Sequence, residues 1–100
     1  MKLRELESFN AFMTYGSVTK AAQAMNVSQP MVSRLLNNFE KSVGFSLFIR
    51  KRNQLAATTE AQQFHATVLR SLNAFREVET QARAIANDQL GAIRIAAQPI

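Results

Sequence analysis

Apolar residues recur at helical spacing from the start of the chain. Between residues 3 and 13 they follow one another at steps of three, with one extra position at the end, which predicts a single apolar stripe on a helix over residues 3–15. Gly16 supplies the stop, because a left-handed residue ends a helix at low cost. The stripe, which we expect to be core without a functional role, consists of Leu3, Leu6, Phe9, Phe12 and Met13.

A second, shorter helix is predicted over residues 18–25, with Ser17 as its N-cap. Its small residues Ala21, Ala22 and Ala24 would let another helix approach closely, although a merely alanine-rich helix has the same composition. The connector 26–28 then joins it to the next helix: its asparagine tolerates a left-handed conformation, and its valine can enter the core. Free N–H groups at the Ser17 end could bind a phosphate.

The third predicted helix divides cleanly into an apolar and a polar face. Ser28 is the N-cap and Pro30 lies in the first turn, where its missing N–H costs nothing; Gly44 ends the helix. At about 100° per residue, one face carries Val32, Leu36, Phe39 and Val43. The other face carries Pro30, Ser33, Arg34, Asn37 and Lys41. Taken alone, this pattern fits an amphipathic surface helix equally well; after a helix and a short turn, it favours a helix-turn-helix.

A basic segment follows an apolar cluster at residues 45–49. The run Arg50-Lys51-Arg52-Asn53-Gln54 separates this cluster from Leu55-Ala56-Ala57, and the order predicts a β-hairpin with a basic tip. Such a tip beside a DNA duplex would place its cations on phosphates or in the minor groove. A solvated basic loop is the alternative.

A long heptad pattern begins after Thr58. Thr59 is the expected N-cap, Glu60 suits the positive end of the helix dipole, and a helix to about residue 87 would be about 42 Å long. The seam, spaced alternately by three and four, consists of Ala61, Phe64, Val68, Ser71, Phe75, Val78, Ala82 and Ile85. Packing on the preceding domain could explain only the first two turns, so the seam predicts a partner helix, most simply from a second copy.

The pattern changes again at residues 90–97, which predict a turn followed by a β-strand. A single strand has no sheet to join, so we expect the chain to be the first part of something longer. The predicted organisation is a DNA-binding domain over residues 1–58, a linker and dimerisation helix over 59–89, and the start of another domain over 90–100.

Charge and composition narrow the function. Residues 1–58 contain eight Lys and Arg against three acidic residues and so hold the whole net charge of +5, while residues 59–100 are neutral. A polyanion partner for the first part follows, since phosphate neutralisation drives nucleic-acid affinity. The chain has no cysteine, and it lacks the apolar run of about 18 residues that a membrane span requires.

Two other classes of function fit less well. An enzyme is disfavoured because the chain has one histidine, His65, expected at a surface or interface, and neither paired acids nor a Gly-rich loop. A pure protein-interaction module could use the heptad seam, but it would leave the segregated charge and the Ser-Gln-Pro helix unexplained.

Residues 3–64 resemble the winged helix-turn-helix of LysR-type transcriptional regulators. The motifs that carry the resemblance include Val27-Ser28-Gln29-Pro30-x-Val32-Ser33-Arg34, Phe39-Glu40-x-x-x-Gly44-x-x-Leu47-Phe48-x-Arg50 and Thr59-Glu60-Ala61. The long helix resembles the linker helix of this family, and residues 90–95 resemble the start of its effector-binding domain. Gln62 stands where the family usually has glycine, which bears only on local geometry.

The resemblance implies a mainly α fold, with three helices, a hairpin wing and a linker helix. It also implies a cytoplasmic bacterial regulator that binds dyad-symmetric double-stranded DNA as a homodimer or tetramer, away from any membrane. No cofactor is expected in this chain, and a small-molecule effector would bind a further C-terminal domain. The expected DNA-binding residues are Ser17, Thr19, Lys20, Ser28, Gln29, Pro30, Met31, Ser33, Arg34, Asn37, Lys41, Arg50, Lys51 and Arg52. The expected dimerisation residues are Phe64, Val68, Phe75, Val78, Ala82 and Ile85.

Overall fold

The computed structural model describes residues 1–97, and the side chains of residues 1–90. The elements are α1 (Leu3–Tyr15), α2 (Val18–Met25), α3 (Gln29–Val43), β1 (Phe48–Lys51), β2 (Gln54–Ala57) and α4 (Thr59–Ala97). Three helices, a hairpin and a long helix therefore follow one another as predicted. The chain divides into two compact units, residues 1–70 and residues 71–100.

The predicted stops and caps set the bounds of the first three helices. Gly16 and Gly44 end α1 and α3 with φ of 87° and 81°, and Asn26 ends α2 with φ of 59°. The Ser17 hydroxyl accepts a hydrogen bond from the Lys20 N–H at 3.1 Å, and the Ser28 hydroxyl accepts one from the Met31 N–H at 3.3 Å. Local sequence thus sets the turn between α2 and α3.

An aromatic cluster forms the centre of the first unit. The Phe9 ring lies 5.2 Å from that of Phe39, 6.1 Å from that of Phe48 and 6.2 Å from that of Phe64, measured between centroids. This cluster joins α1, α3, the hairpin and the first turns of α4. The buried residues around it are Phe12, Ala21, Ala22, Val32, Leu36, Leu47, Ala61 and Val68.

Helix α1 departs from the predicted stripe at its first turns. Leu3 is 40% exposed, whereas Glu5 and Ser8 are buried. Both polar residues have partners that make burial tolerable: the Ser8 hydroxyl donates to the Glu5 carbonyl at 2.9 Å, and the Glu5 carboxylate accepts from the Lys2 N–H at 3.3 Å. The prediction that Leu3 belongs to the core is therefore wrong.

The hairpin is a two-stranded antiparallel wing in which Phe48 pairs with Ala57 and Lys51 with Gln54. Arg52 and Asn53 form its two-residue turn with φ of 53° and 64°, as a type I′ turn requires. The predicted basic tip is thus shorter than expected, because Arg50 and Lys51 lie on β1 and only Arg52 lies in the turn.

Helix α4 begins at Thr59, one residue earlier than predicted. The Thr58 hydroxyl accepts from the Ala61 N–H at 3.1 Å and donates to the Ser46 carbonyl at 2.8 Å. Thr58, not Thr59, is therefore the N-cap, because its hydroxyl accepts from the N–H three residues later. The same hydroxyl also ties the start of α4 to the connection between α3 and β1. Gln62 is exposed in the first turn, and its N–H donates normally to the Thr58 carbonyl at 3.1 Å.

The prediction of a turn and a strand at residues 90–97 is wrong, because α4 continues to Ala97. A helix satisfies its backbone N–H and C=O groups within itself, whereas a strand here would require a partner strand. The remaining part of the predicted 90–100 segment, residues 98–100, lies outside the described residues.

Candidate nucleic-acid interface

The polar face of α3 is fully presented on the surface of the first unit. Gln29, Pro30, Ser33, Arg34, Asn37 and Lys41 are all exposed. Val32, Leu36 and Phe39 on the opposite face are each at most 1% exposed. The apolar anchor therefore fixes which way the polar side chains of α3 point, as the sequence predicted; Val43 at the end of the apolar face is half-buried.

A concave groove of about 330 Å³ lies between the start of α2, the polar face of α3 and the wing. It brings together six of the predicted DNA-binding residues: Ser17, Thr19, Gln29, Ser33, Asn37 and Arg50. No acidic side chain lines this groove, which offers hydroxyl, amide and guanidinium groups for hydrogen bonds. Such a surface is suited to phosphates and base edges.

The remaining predicted residues lie outside the groove. Lys20, Ser28, Pro30, Met31, Arg34, Lys51 and Arg52 are exposed but do not line it. Lys41 lines a separate depression with Glu40, Gly44 and Phe45, at the C-terminal end of α3. This position suits Lys41 to a phosphate at the edge of the interface rather than to a base.

Strand alternation explains how the cations of the wing differ. Phe48 and Arg50 lie on one face of β1, and Ile49 and Lys51 on the other. Because the Phe48 ring packs edge-on against Phe12 at 5.3 Å, its face is turned toward the helices, and Arg50 on that face lines the groove beside α3. Arg50 therefore belongs with α3, the recognition helix of the helix-turn-helix, whereas Lys51 faces away from it.

Two groove residues were missed by sequence reasoning. Asn53 and Gln54, in the turn and at the start of β2, both line the groove. The sequence contained a signal, since an asparagine after a basic run indicates a tight turn with φ above zero, which would have directed the second strand back toward α3.

Glu40 connects α3 to the wing. Its carboxylate oxygen Oε2 accepts a hydrogen bond from the Leu47 N–H at 2.8 Å and another from the Phe48 N–H at 3.0 Å. Both distances lie in the usual range of N–H···O hydrogen bonds. The Glu40 carboxylate is thus bound to backbone N–H groups of its own chain rather than directed at an incoming phosphate.

His65, which was predicted at a surface or an interface, contacts α1 of its own chain. It is half-buried, its Nε2 is 2.8 Å from Asn10 Oδ1, and its ring meets that of Phe9 edge-on at 6.0 Å. The histidine therefore joins α4 to α1 within the first unit, where a polar partner permits its partial burial.

The predicted dimerisation residues divide into two groups. Val68 is 3% exposed, and the half-buried Phe64 contacts the rings of Phe9, Phe39 and Phe45. Val68 is thus covered by its own chain, and Phe64 is partly covered. In contrast, Phe75, Val78, Ala82 and Ile85 are exposed on α4, with Val78 at 66%.

The described residues contain neither a helix suited to a membrane nor a cluster suited to a metal ion. None of their helices combines the length and apolarity needed to cross a bilayer. No cluster of three or more His, Cys, Asp or Glu side chains among them could hold a metal ion.

Comparisons with known proteins agree on one family. The family model for "Bacterial regulatory helix-turn-helix protein, lysR family" matches residues 3–62. The regulator DgcR of a Pseudoalteromonas species is 37% identical over 99 residues, which are 99% of this chain and 34% of DgcR. The transcriptional activator LysR of Escherichia coli is 37% identical over 100 residues, which are 100% of this chain and 32% of LysR. The chain thus spans about a third of the length of the curated relatives it matches.

Solved structures similar to this chain include two protein–DNA complexes. The DNA-binding domain of BenM with catB site 1 DNA has a TM-score of 0.78 and 30% identity, covering 86% of this chain and 97% of that one. The CbnR DNA-binding domain with DNA has a TM-score of 0.76 and 28% identity, covering 86% and 99%.

Proposed function

Because the chain belongs to the lysR family of bacterial regulatory helix-turn-helix proteins, we propose that it binds double-stranded DNA in a sequence-specific manner and regulates transcription. The observation that carries the proposal is the shared surface of α3, the start of α2 and the wing. The Arg50 guanidinium converges there with amide and hydroxyl side chains on one groove without an acidic residue. A bacterial chromosome lies in the cytoplasm, so this is also the proposed location.

Each part of the surface has a proposed role. Gln29 and Arg34 supply base readout in the major groove, since glutamine can pair with adenine and arginine with guanine through two hydrogen bonds. Pro30 and the exposed Met31 provide apolar contact with thymine methyl groups. Contacts to the DNA phosphates, which position the protein on the duplex, are assigned to Ser17, Thr19, Lys20, Ser28, Asn37 and Lys41. The turn cation Arg52 reaches the minor groove or its phosphates.

Arg50 receives a different role from the one its sequence position indicated. Because it lines the groove beside Ser33 and Asn37, we place its guanidinium on a phosphate at the edge of the major groove. Lys51, on the outer face of β1, is assigned to the phosphates of the DNA that flanks the site.

A salt titration tests DNA binding against the rival role of a protein-interaction module. Gel shifts on mixed-sequence duplexes should give a slope of several units in log K against log salt concentration, because each phosphate contact contributes about −0.9. Arg50→Gln should reduce the magnitude of the slope by about one unit. The matched variant Arg83→Gln, an exposed position of α4, should leave it unchanged. No shift at any salt concentration would favour the interaction module.

The proposal includes a homodimer through α4. Phe75, Val78 and Ile85 are 45%, 66% and 51% exposed, and an exposed apolar seam on a long helix favours burial against the same seam of a second copy. A dimer related by a twofold axis would recognise a dyad-symmetric operator. The proposed seam leaves out Val68, which its own chain covers, and Phe64, whose ring already contacts three rings of its own chain.

Sedimentation tests the dimer. The wild-type chain should sediment as a dimer at micromolar concentration, and Phe75→Asp should shift it toward the monomer because a buried charge is costly. Thr80→Asp, at another exposed position of α4, is the matched control and should remain dimeric. A wild-type chain that is monomeric at high micromolar concentration refutes this part of the proposal.

The domain roles complete the proposal. Residues 1–58 bind DNA and the helix that follows links and dimerises, but the continuous α4 gives no support for a boundary at residue 90. A small-molecule effector would bind parts of the full-length protein outside the described residues. Tetramers would likewise be formed by the full-length protein.

A further inference from the structure

Three elements of the first unit meet at one buried peptide. Leu47 is 0% exposed and lies between the end of α3 and the start of β1. Its N–H donates to the Glu40 carboxylate on α3 at 2.8 Å. Its carbonyl accepts from the Thr58 N–H at 3.0 Å and from the Thr58 hydroxyl at 3.3 Å. The recognition helix, the wing and the cap of α4 are therefore held by the same residue.

Glu40 is the side chain that joins α3 to the first residue of the wing. One of its oxygens takes both the Leu47 and the Phe48 N–H groups, and Phe48 is the first residue of the wing. Gly44 ends α3 with φ of 81°, and residues 45–47 belong to neither α3 nor β1. In that connection, the angle between helix and strand depends on contacts such as these two bonds.

The position of the wing matters to DNA only relative to α3. Arg50 lines the groove with Ser33 and Asn37, and Arg52 lies in the turn at the end of the same hairpin. A shift of the strand start is transmitted along the hairpin to both cations, because a two-residue turn and a paired ladder leave little freedom between them.

We propose that Glu40 is a positioning residue, which sets the wing against the recognition helix so that base contacts by α3 and backbone contacts by the wing are made together. The inference rests on the proposed function and adds to it a requirement: the binding energy of the wing cations depends on a carboxylate that does not itself face the DNA. Charge alone would predict the opposite effect of Glu40 on DNA affinity, since an acidic side chain near a polyanion weakens binding.

A double-mutant cycle with charge-conserving substitutions tests the proposal. Glu40→Asp keeps the charge but shortens the side chain by one methylene, so that it cannot keep both bonds. Arg52→Asn removes the turn cation while retaining a residue that tolerates φ above zero. The matched control for the first change is Glu60→Asp, an exposed acid in the first turn of α4. Affinities are measured on a duplex selected by the wild-type chain and on a shuffled duplex.

The expected result is strong coupling on the selected duplex. Arg52→Asn should weaken wild-type binding about threefold or more, but should change the Glu40→Asp variant much less, giving a coupling factor of about threefold. In the Glu60→Asp background the effect of Arg52→Asn should equal that in the wild type. A carboxylate that only stabilises the fold gives additive losses, and additive losses overturn the proposal.

Folding is checked for every variant by circular dichroism and thermal melting, with binding measured well below the melting temperature. If Glu40→Asp does not fold, Glu40→Gln replaces it with Glu60→Gln as its control. The glutamine keeps the length of the side chain and raises the net charge by one; it should then bind the selected duplex more weakly than the control despite equal charge. Failure of the wild type to bind DNA refutes the proposed function, whereas binding with an additive cycle refutes only the role of Glu40.

Discussion

Replacing Arg34 by alanine should affect DNA recognition and leave the fold almost unchanged. Arg34 is exposed on α3, opposite Val32, Leu36 and Phe39, which are at most 1% exposed. Arginine and alanine both have high helix propensity, and an exposed substitution usually changes the free energy of unfolding by less than about 0.5 kcal/mol. The effect should therefore appear in binding.

The magnitude follows from what an arginine at this position can do. A pair of hydrogen bonds to one base is worth about 1–3 kcal/mol of discrimination, which corresponds to a loss of about fivefold to 150-fold at the specific site. On random DNA only one charge is lost, so the salt slope should fall by about one unit. Arg34→Ala should thus lower the ratio of specific to random affinity, and not only the affinity.

Fluorescence anisotropy with a selected and a shuffled duplex measures both quantities. The control is Arg76→Ala, which removes the same charge from an exposed position of α4, where the guanidinium donates to Asn73 Oδ1 at 3.3 Å. Equal losses on the two duplexes, or an Arg34→Ala variant that behaves like the Arg76→Ala control, would refute base readout by Arg34.

Three further predictions concern stability. Phe39→Ala removes a fully buried ring at the centre of the aromatic cluster and should lower the free energy of unfolding in urea by about 3–5 kcal/mol; a loss below 1 kcal/mol would contradict the packing described. Thr58→Ala should cost about 1 kcal/mol or more and Thr59→Ala less than about half of that, since only Thr58 caps α4; the reverse order would restore Thr59 as the cap. Arg52→Asn should raise the melting temperature slightly, because asparagine tolerates the left-handed conformation of this turn position better than arginine. The same change should weaken DNA binding. A lower melting temperature would show that the left-handed conformation at Arg52 does not reduce the stability of the wild type.

The sequence predicted best what local rules determine. Gly16, Ser17, Ser28 and Gly44 end or cap their helices as expected, because capping depends on residues within one turn. The burial of α3 was also predictable, since its two faces differ so strongly in polarity. The convergence of α3 and the wing followed only in part, because the alternation that turns Arg50 toward the helix depends on where β1 begins.

The sequence could not determine which of several neighbouring residues on a helix are buried. Ser71 was placed in the seam of α4, yet Leu72 is the residue that is 3% exposed. A straight helix drifts by about 20° per heptad relative to a 3.5-residue repeat, so the buried stripe follows the seam at Ala61 and Val68 but continues at Leu72. Similarly, Glu5 and Ser8 are buried because partners satisfy them, which no hydropathy pattern indicates.

Selection of bound duplexes from random-sequence DNA tests whether the α3 face and the wing read a specific sequence, and whether two copies do so together. A dyad-symmetric site should be enriched, with half-sites separated by about a whole number of helical turns. Arg34→Ala should relax the preference at one position of each half-site. If the pool stays random after selection while the chain stays folded, the chain does not read a sequence through α3 and the wing.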